Sequence, residues 1–555
     1  MDNGNDDNNI LLANKWLRPS KGGGFVKQAA ILGGASIFVR LMGFFYRVPL
    51  TNLIGDDGNA FYGTAYQVYV IILNLTSVFM IAAISRLASE RIALGQFRNA
   101  HTLFKTAMAF SMIIGTMGSL AMFFGADIIV TVFNFDEVTV YAIRSISPAI
   151  FIVSMLTVLR GYFQGMKTTF PTAISQVIEQ IFNISFSLWL AFLFFDAANI
   201  EGTVHFSAAG ATAGTAIAAL AALSVVTFIY MKVSSLLKKR AAEDPTEFRE
   251  KRCSQIAAII RTSFPIMLML TTLSFFTLID ISMANNRLEA SSIFSENEIN
   301  VLVGQFIGKF VLLTTLPVSL SMALSAAIIP EITAAHVTGD KDAVRQKTNL
   351  ALRLSMMLSI PAAVGLAVLA DPILAMLFPM HPEGGWLLRY GSISIIFMAI
   401  FHVITGVLQG VGHVKLPLVG VFFGGIAKCI INYVFMVVPQ INILGAVIST
   451  IVCFIVAAAV NLFFLYRYAG IFPSFTRTFF KPTIAALGMG LVCFFVYNLI
   501  YIFAPNIVAT LCAIAVGGFS YVFLMVIIRG LGERDIEALP IPRKIKNLLG
   551  YGFRK

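Results

Sequence analysis

The sequence predicts an all-α integral membrane protein of fourteen transmembrane helices: two six-helix lobes related as parallel repeats, two extra C-terminal helices, and both termini in the cytoplasm. Three observations carry this. The 555 residues are 58% hydrophobic and only 12% charged, about half the charged share of an ordinary soluble domain, and the mean hydropathy is +0.83. Apolar runs of spanning length recur along the whole chain. The charge of the connections between them alternates in sign.

The runs lie at about 27–50, 65–86, 101–126, 138–161, 171–195, 207–231, 262–283, 303–329, 349–377, 386–410, 415–438, 442–466, 479–503 and 506–528. Every second connection is basic: Arg86, Arg91, Arg98 and Lys105, then Lys167, then Lys232, Lys238, Lys239 and Arg240, and so on to Arg529. The opposite set is acidic: Asp56 and Asp57, Asp136 and Glu137, Asp196 and Glu201, Glu289, Glu296 and Glu298, and Glu383. Cytoplasmic loops retain Lys and Arg, so the basic set is placed inside and both ends of the chain with it. The formal charge of +12 therefore reflects orientation, not nucleic-acid binding. The acidic N-terminal stretch MDNGNDDNNI lacks the basic start of a signal peptide, so the first span is expected to stay uncleaved.

The chain also repeats itself. LASERIALGQFRNAHTLFKTAM aligns without gaps to EITAAHVTGDKDAVRQKTNLAL at an offset of 244, placing Gly95 on Gly339, Ala107 on Ala351 and, further on, Asp127 on Asp371. GYFQG (161–165) then matches GVLQG (406–410), and Pro171 answers Pro417. Six spans separate equivalent positions, an even number, so the copies share one orientation, an arrangement that places substrate between halves. The divisions that follow are a cytoplasmic N-terminal tail (1–24), a first lobe (25–232), a cytoplasmic connector (233–261), a second lobe (262–467), two further spans (468–529) and a basic cytoplasmic tail (530–555). The connector is expected to be a solvated linkage with an interfacial helix after Pro245. In the tail, Ile541, Ile545, Leu548 and Leu549 alternate with Arg543, Lys544 and Lys546, spacing that suits a short surface helix as well as a disordered tail. Pro148, Pro265, Pro317 and Pro361 fall within spans and permit kinks.

Charge inside the spans points to function. Arg40 and Arg47 stand on the first span, seven residues apart. At about 3.6 residues per turn they share a face, roughly 10 Å apart along the axis, with Gly43 between them. A charge at mid-bilayer costs about 2.5–3.5 kcal/mol on insertion scales, so such residues turn to a polar interior. The plainer alternative is that Arg47 snorkels to the outer interface and Arg40 is simply paired. Further along lie Glu179, Asp280, Lys309 and Lys428. Arg40, Arg47 and Lys309 are the candidate seat for an anionic headgroup, since guanidinium and ammonium groups suit phosphate. Asp280 and Lys428 are a candidate charge pair that biases the lobe arrangement; Glu179 is read as holding helices together. Asp280 near an outer span end and Lys309 with its long stem each also fit an interfacial placement.

Other classes are excluded by what the sequence lacks. It has no G-x-x-x-x-G-K-[ST] for a nucleotide, no H-E-x-x-H and no paired external carboxylates. Its five cysteines are scattered without metal-ligand spacing. A non-enzyme without cofactor or metal is expected, driven by the membrane potential, a cation or the substrate's own gradient.

Arg-x-x-Gly-x-x-x-Arg (Arg40, Gly43, Arg47), followed by GDDGNAFYGTAYQVY, AAISRLASERIALGQ and RGYFQG…P…SQVIEQ, resembles the polysaccharide-transporter branch of the MOP flippase superfamily, in its stage V sporulation protein B (YtgP)-like group, related to the MurJ lipid II flippases. The likeness covers about residues 25–529. It implies two lobes around a cationic cavity formed by spans 1, 2, 7 and 8, with spans 13 and 14 shaping a groove for a lipid tail. It also implies that the chain moves an undecaprenyl-pyrophosphate-linked saccharide, foremost lipid II, to the outer leaflet by alternating access. The expectation is therefore a monomeric cell-membrane protein of a Gram-positive bacterium, serving cell wall biogenesis. Asn183 stands where this likeness leads one to expect a basic residue. Capsular, teichoic or spore-related lipid-linked units remain open as cargo. A MATE-like drug/ion antiporter would call for acidic cavity residues. A polytopic glycan polymerase would need external catalytic acids, and a scaffold would leave the buried arginines unexplained.

Overall fold

Apolar segments in a bilayer satisfy their backbone internally, so these runs become helices. The structure, a computed structural model, describes residues 24–195, 200–246, 248–470 and 476–530. The N-terminal acidic stretch and the tail after Gly530 lie outside the described residues. Among the described residues there is no strand, and twelve helices are long and apolar enough to cross a membrane, or thirteen with one bent pair counted as a span. The first of them, Gly34–Ala93, is 60 residues long and takes in most of the first predicted span and all of the second; at 1.5 Å per residue that is about 90 Å, more than one bilayer crossing.

The chain divides into two compact units, Met1–Asn285 and Asn286–Lys555. The first holds α1 (Gly24–Leu73), a π-helical turn (Asn74–Val78), α2 (Phe79–Ala93), α3 (Phe97–Phe124), α4 (Ala126–Phe133), α5 (Thr139–Ile146), α6 (Pro148–Gly165), α7 (Phe170–Leu193), α8 (Ile200–Ala242) and most of α9 (Arg252–Glu289). Its core joins Met80, Ile84, Leu103, Leu156, Phe163, Ala222 and Val226 from four of these helices.

The second unit holds α10 (Glu296–Gln305), a π-helical turn (Phe306–Val311), α11 (Leu312–Val337), α12 (Lys341–Val368), α13 (Ala370–Leu377), α14 (Gly385–Gly391), α15 (Ser394–Gly410), α16 (Leu416–Phe435) and α17 (Leu444–Ala469). It also holds α18 (Lys481–Tyr501) and α19 (Asn506–Ile527), which lean on α12 and α13: Tyr521 donates to the Met357 carbonyl at 3.0 Å and Asn506 Nδ2 to that of Pro372 at 3.1 Å.

The repeat read from sequence recurs as local geometry. Gly95 and Gly339 end α2 and α11 at φ 77° and 75°, left-handed values that glycine adopts without steric cost. The flanking bonds match: Gln96 N–H to Arg91 O at 2.8 Å in one unit, Asp340 N–H to Ala335 O at 3.0 Å in the other. Asp127 pairs with Arg144 at 2.6 Å, and Asp371 with Arg389. A Cβ on Gly161 would sit 3.0 Å from Ile81 O; one on Gly406, 2.9 Å from Ser325 O. The 244–245 offset of the sequence therefore marks the same close helix crossing twice.

The structure differs from expectation in three places. No loop carries Asp56 and Asp57: the chain stays helical through them, broken only at Gly55 (φ 69°, ψ −172°), with Asp56 buried. Several predicted spans are interrupted helices: α5 ends at Ile146 and Pro148 starts α6, with Ser147 between them still at right-handed helical angles, and α12 gives way to α13 at Leu369. The connector is docked, not solvated. Arg91 Nη2 pairs with Glu250 at 2.6 Å, Asn99 Nδ2 donates to Phe248 O at 2.9 Å, and the Arg98 N–H donates to Asp244 at 2.7 Å. The Thr246 hydroxyl, with the Arg98 and Thr246 backbone N–H groups, holds the Asp244 carboxyl below its usual range. The next helix starts at Arg252, seven residues beyond Pro245.

Candidate functional site

On α1, Ser36, Arg40, Gly43 and Arg47 follow at steps of four, three and four residues, one stripe of the helix. That stripe lies along α7. Ser36 Oγ donates to Gln176 at 3.4 Å, and a Cβ on Gly43 would stand 3.4 Å from Gln180 Nε2. Gln180 thus lies against the small residue between the two arginines, where an added Cβ would meet it at ordinary van der Waals distance. Arg40 is exposed and Arg47 half-buried. Among the described residues neither forms an ion pair.

The second limb of α1 supplies what Arg47 rests on. Its guanidinium lies 4.3 Å from the ring centre of Tyr62 and 5.8 Å from that of Tyr66. Tyr62, Tyr66 and Tyr69 occupy i, i+4 and i+7, with successive ring centres 6.0 and 5.7 Å apart. Tyr46 Oη donates to Tyr62 Oη at 3.3 Å. Stacking fixes the plane of Arg47 and leaves its N–H edge for a ligand.

Behind this stripe lies a neutralised pair. Arg160 of α6, 6% exposed, meets Glu179 of α7 at 2.6 Å and donates through Nε to Ser175 Oγ at 2.9 Å. The reading of Glu179 as a helix fastener agrees with this contact. Asn183, where a basic residue was expected, accepts from Ser187 at 3.0 Å and Thr215 at 3.2 Å and so ties α7 to α8. With Glu179 matched to Arg160, Arg40 and Arg47 are the cations of this stripe left without an ion pair among the described residues.

The remaining candidates lie elsewhere. Lys309 is fully buried in the second π-helical turn, where Nζ donates to the Glu383 carbonyl at 2.9 Å and sits 6.0 Å from the Phe378 ring. Asp280 is buried on α9 in the first unit. Lys428 is buried on α16 in the second, donating to Thr450 Oγ1 at 2.7 Å. Thus Arg40 and Arg47 share one stripe, while Lys309 and Lys428 belong to the other unit. Arg160 and the three tyrosines were missed as site residues. Tyr62, Tyr66 and Tyr69 carried a readable helical spacing; the pairing of Arg160 with Glu179 had no sequence signal beyond its place in RGYFQG.

Among the described residues no cluster of His, Cys, Asp and Glu is arranged to hold a metal.

Comparison with known proteins agrees with this fold. The family pattern described as polysaccharide biosynthesis protein matches residues 25–336, and the MatE pattern matches 299–434. The chain is 27% identical over 451 residues to lipid II flippase MurJ of Bacillus subtilis (strain 168), covering 78% of this chain and 80% of that protein. It is 22% identical over 529 residues to stage V sporulation protein B of the same organism, covering 93% and 98%. Among solved structures, an inward closed lipid II flippase MurJ superposes with a TM-score of 0.66 at 16% identity, covering 89% of this chain and 97% of that one. An inward-facing multidrug resistance MATE transporter gives 0.64 at 16% identity, covering 78% and 98%.

Proposed function

We propose that this chain, which belongs to the polysaccharide biosynthesis protein family within the MOP superfamily, carries lipid II from the inner to the outer leaflet by alternating access. It is a multi-pass plasma-membrane transporter, not an enzyme. The observation that carries the cargo reading is the Arg40–Gly43–Arg47 stripe, two guanidiniums without acidic partners among the described residues, one stacked on Tyr62. Two forks at this spacing suit a pyrophosphate, whose oxygens accept paired N–H donors. A MATE-like exchange of cationic drugs fits less well, because a cationic stripe repels a cationic cargo.

The reading includes fourteen spans with both termini cytoplasmic, Lys309 as a further headgroup contact and the Asp280–Lys428 pair as a bias between transport states. The family's groove for a lipid tail is assigned to α18 and α19. The decisive test is complementation of a strain depleted of its lipid II flippase. Growth should return and accumulated lipid II should fall. Failure of both, with the protein present in the membrane, would hand the cargo to a capsular, teichoic or spore-related unit.

The topology has its own test. A cysteine at Asn297, exposed beside the Ser295–Glu298 capping box, should react from outside with an impermeant thiol reagent in a cysteine-free background. One at Lys239, exposed at the end of α8, should react only after the cell is opened. The reverse pattern would overturn the orientation.

A further inference from the structure

The two units repeat a helix–turn–helix but treat the groove beside it differently. In the first unit the groove between the Gly95 turn and the end of α8 is filled by the connector, gripped by Arg91, Arg98 and Asn99. In the second, the counterpart between the Gly339 turn and the end of α17 is an open cavity of about 510 Å³. Its walls include His336, Lys341, Asp342, Arg345, Arg467 and Tyr468.

The exchange of residues between the repeats says what the second groove no longer suits. At the offset of 244, Arg91 and Asn99 correspond to Ala335 and Ala343, so the groups that clasp peptide backbone and carboxylate are gone. Cations appear at other positions instead: Lys341, Arg345 and, across the groove, Arg467, all exposed. Two carboxylates oppose these three cations, Asp342 and Asp340, whose Oδ1 also accepts the Ala343 N–H at 2.8 Å as a helix cap, so the lining keeps a net positive charge. Tyr468, half-exposed and 4.5 Å from the His413 ring, closes one side. The groove sits where α11, α12 and α17, all of spanning length, reach their ends. That is headgroup depth, where Arg and Tyr are at home and basic pockets between spans take anionic headgroups.

We propose that this groove binds the phosphate of an anionic phospholipid headgroup, held between Arg345 and Lys341 on α12 and Arg467 on α17. The site is separate from the α1 stripe. It rests on α12 and α17 being spans and not on the identity of the transported saccharide.

The test uses the full chain, purified in detergent and delipidated, with retention of added lipid read by native mass spectrometry. Phosphatidylglycerol should be retained in preference to phosphatidylcholine. Arg345→Gln combined with Arg467→Gln should weaken that retention about tenfold or more, with the melting temperature of the delipidated protein unchanged. Lys341→Gln alone gives a smaller loss in the same direction and serves if the double variant does not fold. Lys239→Gln, in the first unit, should change nothing. Equal retention of the two lipids, or a groove variant that retains phosphatidylglycerol like the parent, would overturn the site. Inorganic phosphate that displaces the lipid completely would assign the groove to a soluble phosphate and overturn the lipid. Displacement by a peptide of residues 243–251 would do the same in favour of an acidic protein segment.

Discussion

Arg40→Ala is expected to abolish rescue of a lipid II flippase-depleted strain while leaving membrane insertion and melting temperature close to the parent. Arg40 is exposed and has no ion-pair partner among the described residues, so its removal strands no buried charge and opens no cavity. What it removes is a charge-assisted contact to the cargo, worth about 1.5–3 kcal/mol for each such hydrogen bond, or roughly ten- to a hundredfold in transport. Arg40→Lys should recover only part of this, since an ammonium cannot fork across two phosphate oxygens. Arg47→Ala should also fail, but with some loss of stability, because its guanidinium packs on Tyr62. Full rescue by Arg40→Ala would remove the stripe from the mechanism.

The legible part of this protein was whatever depends on periodicity along one segment. Apolar run length gave the helices, and Arg40 and Arg47 at a spacing of seven gave the stripe. Glycines at an offset of 244 gave the repeat, down to the matched φ of Gly95 and Gly339. What depends on distant segments meeting was not legible. Nothing near Arg160 in sequence announces Glu179, and nothing in the connector announces that Asn99 will hold Phe248 and Glu250. The acidic pair Asp56–Asp57 reads as a loop because charges favour water, yet a single left-handed Gly55 makes the break and the helix runs on through both carboxylates. Lys309 illustrates the same limit: its charge was visible, but not that a backbone carbonyl at Glu383 would take its proton donors.

Glu179→Gln is expected to destabilise the first unit more than any other conservative change near the stripe. Arg160 is 8% exposed at its side chain and Glu179 31%, so one partner is truly buried and the other retains some solvent. Breaking a buried pair by removing one charge costs about 3–5 kcal/mol; the exposure of Glu179 puts this case near the lower end, a loss of several degrees in melting temperature. Removing both charges should cost far less. Arg160→Met with Glu179→Leu leaves no uncompensated ion, and Ser175 keeps a partner because its hydroxyl donates to the Thr172 carbonyl at 2.8 Å. The cycle therefore separates two roles. If the pair only fastens α6 to α7, the double variant regains both stability and rescue. If Glu179 instead keeps Arg160 from competing with Arg40 and Arg47 for the cargo, Glu179→Gln should bind anions more tightly yet turn over more slowly. The double variant, lacking that third cation, should then transport like the parent. A double variant that is stable but inactive would place Arg160 itself among the groups that hold the cargo.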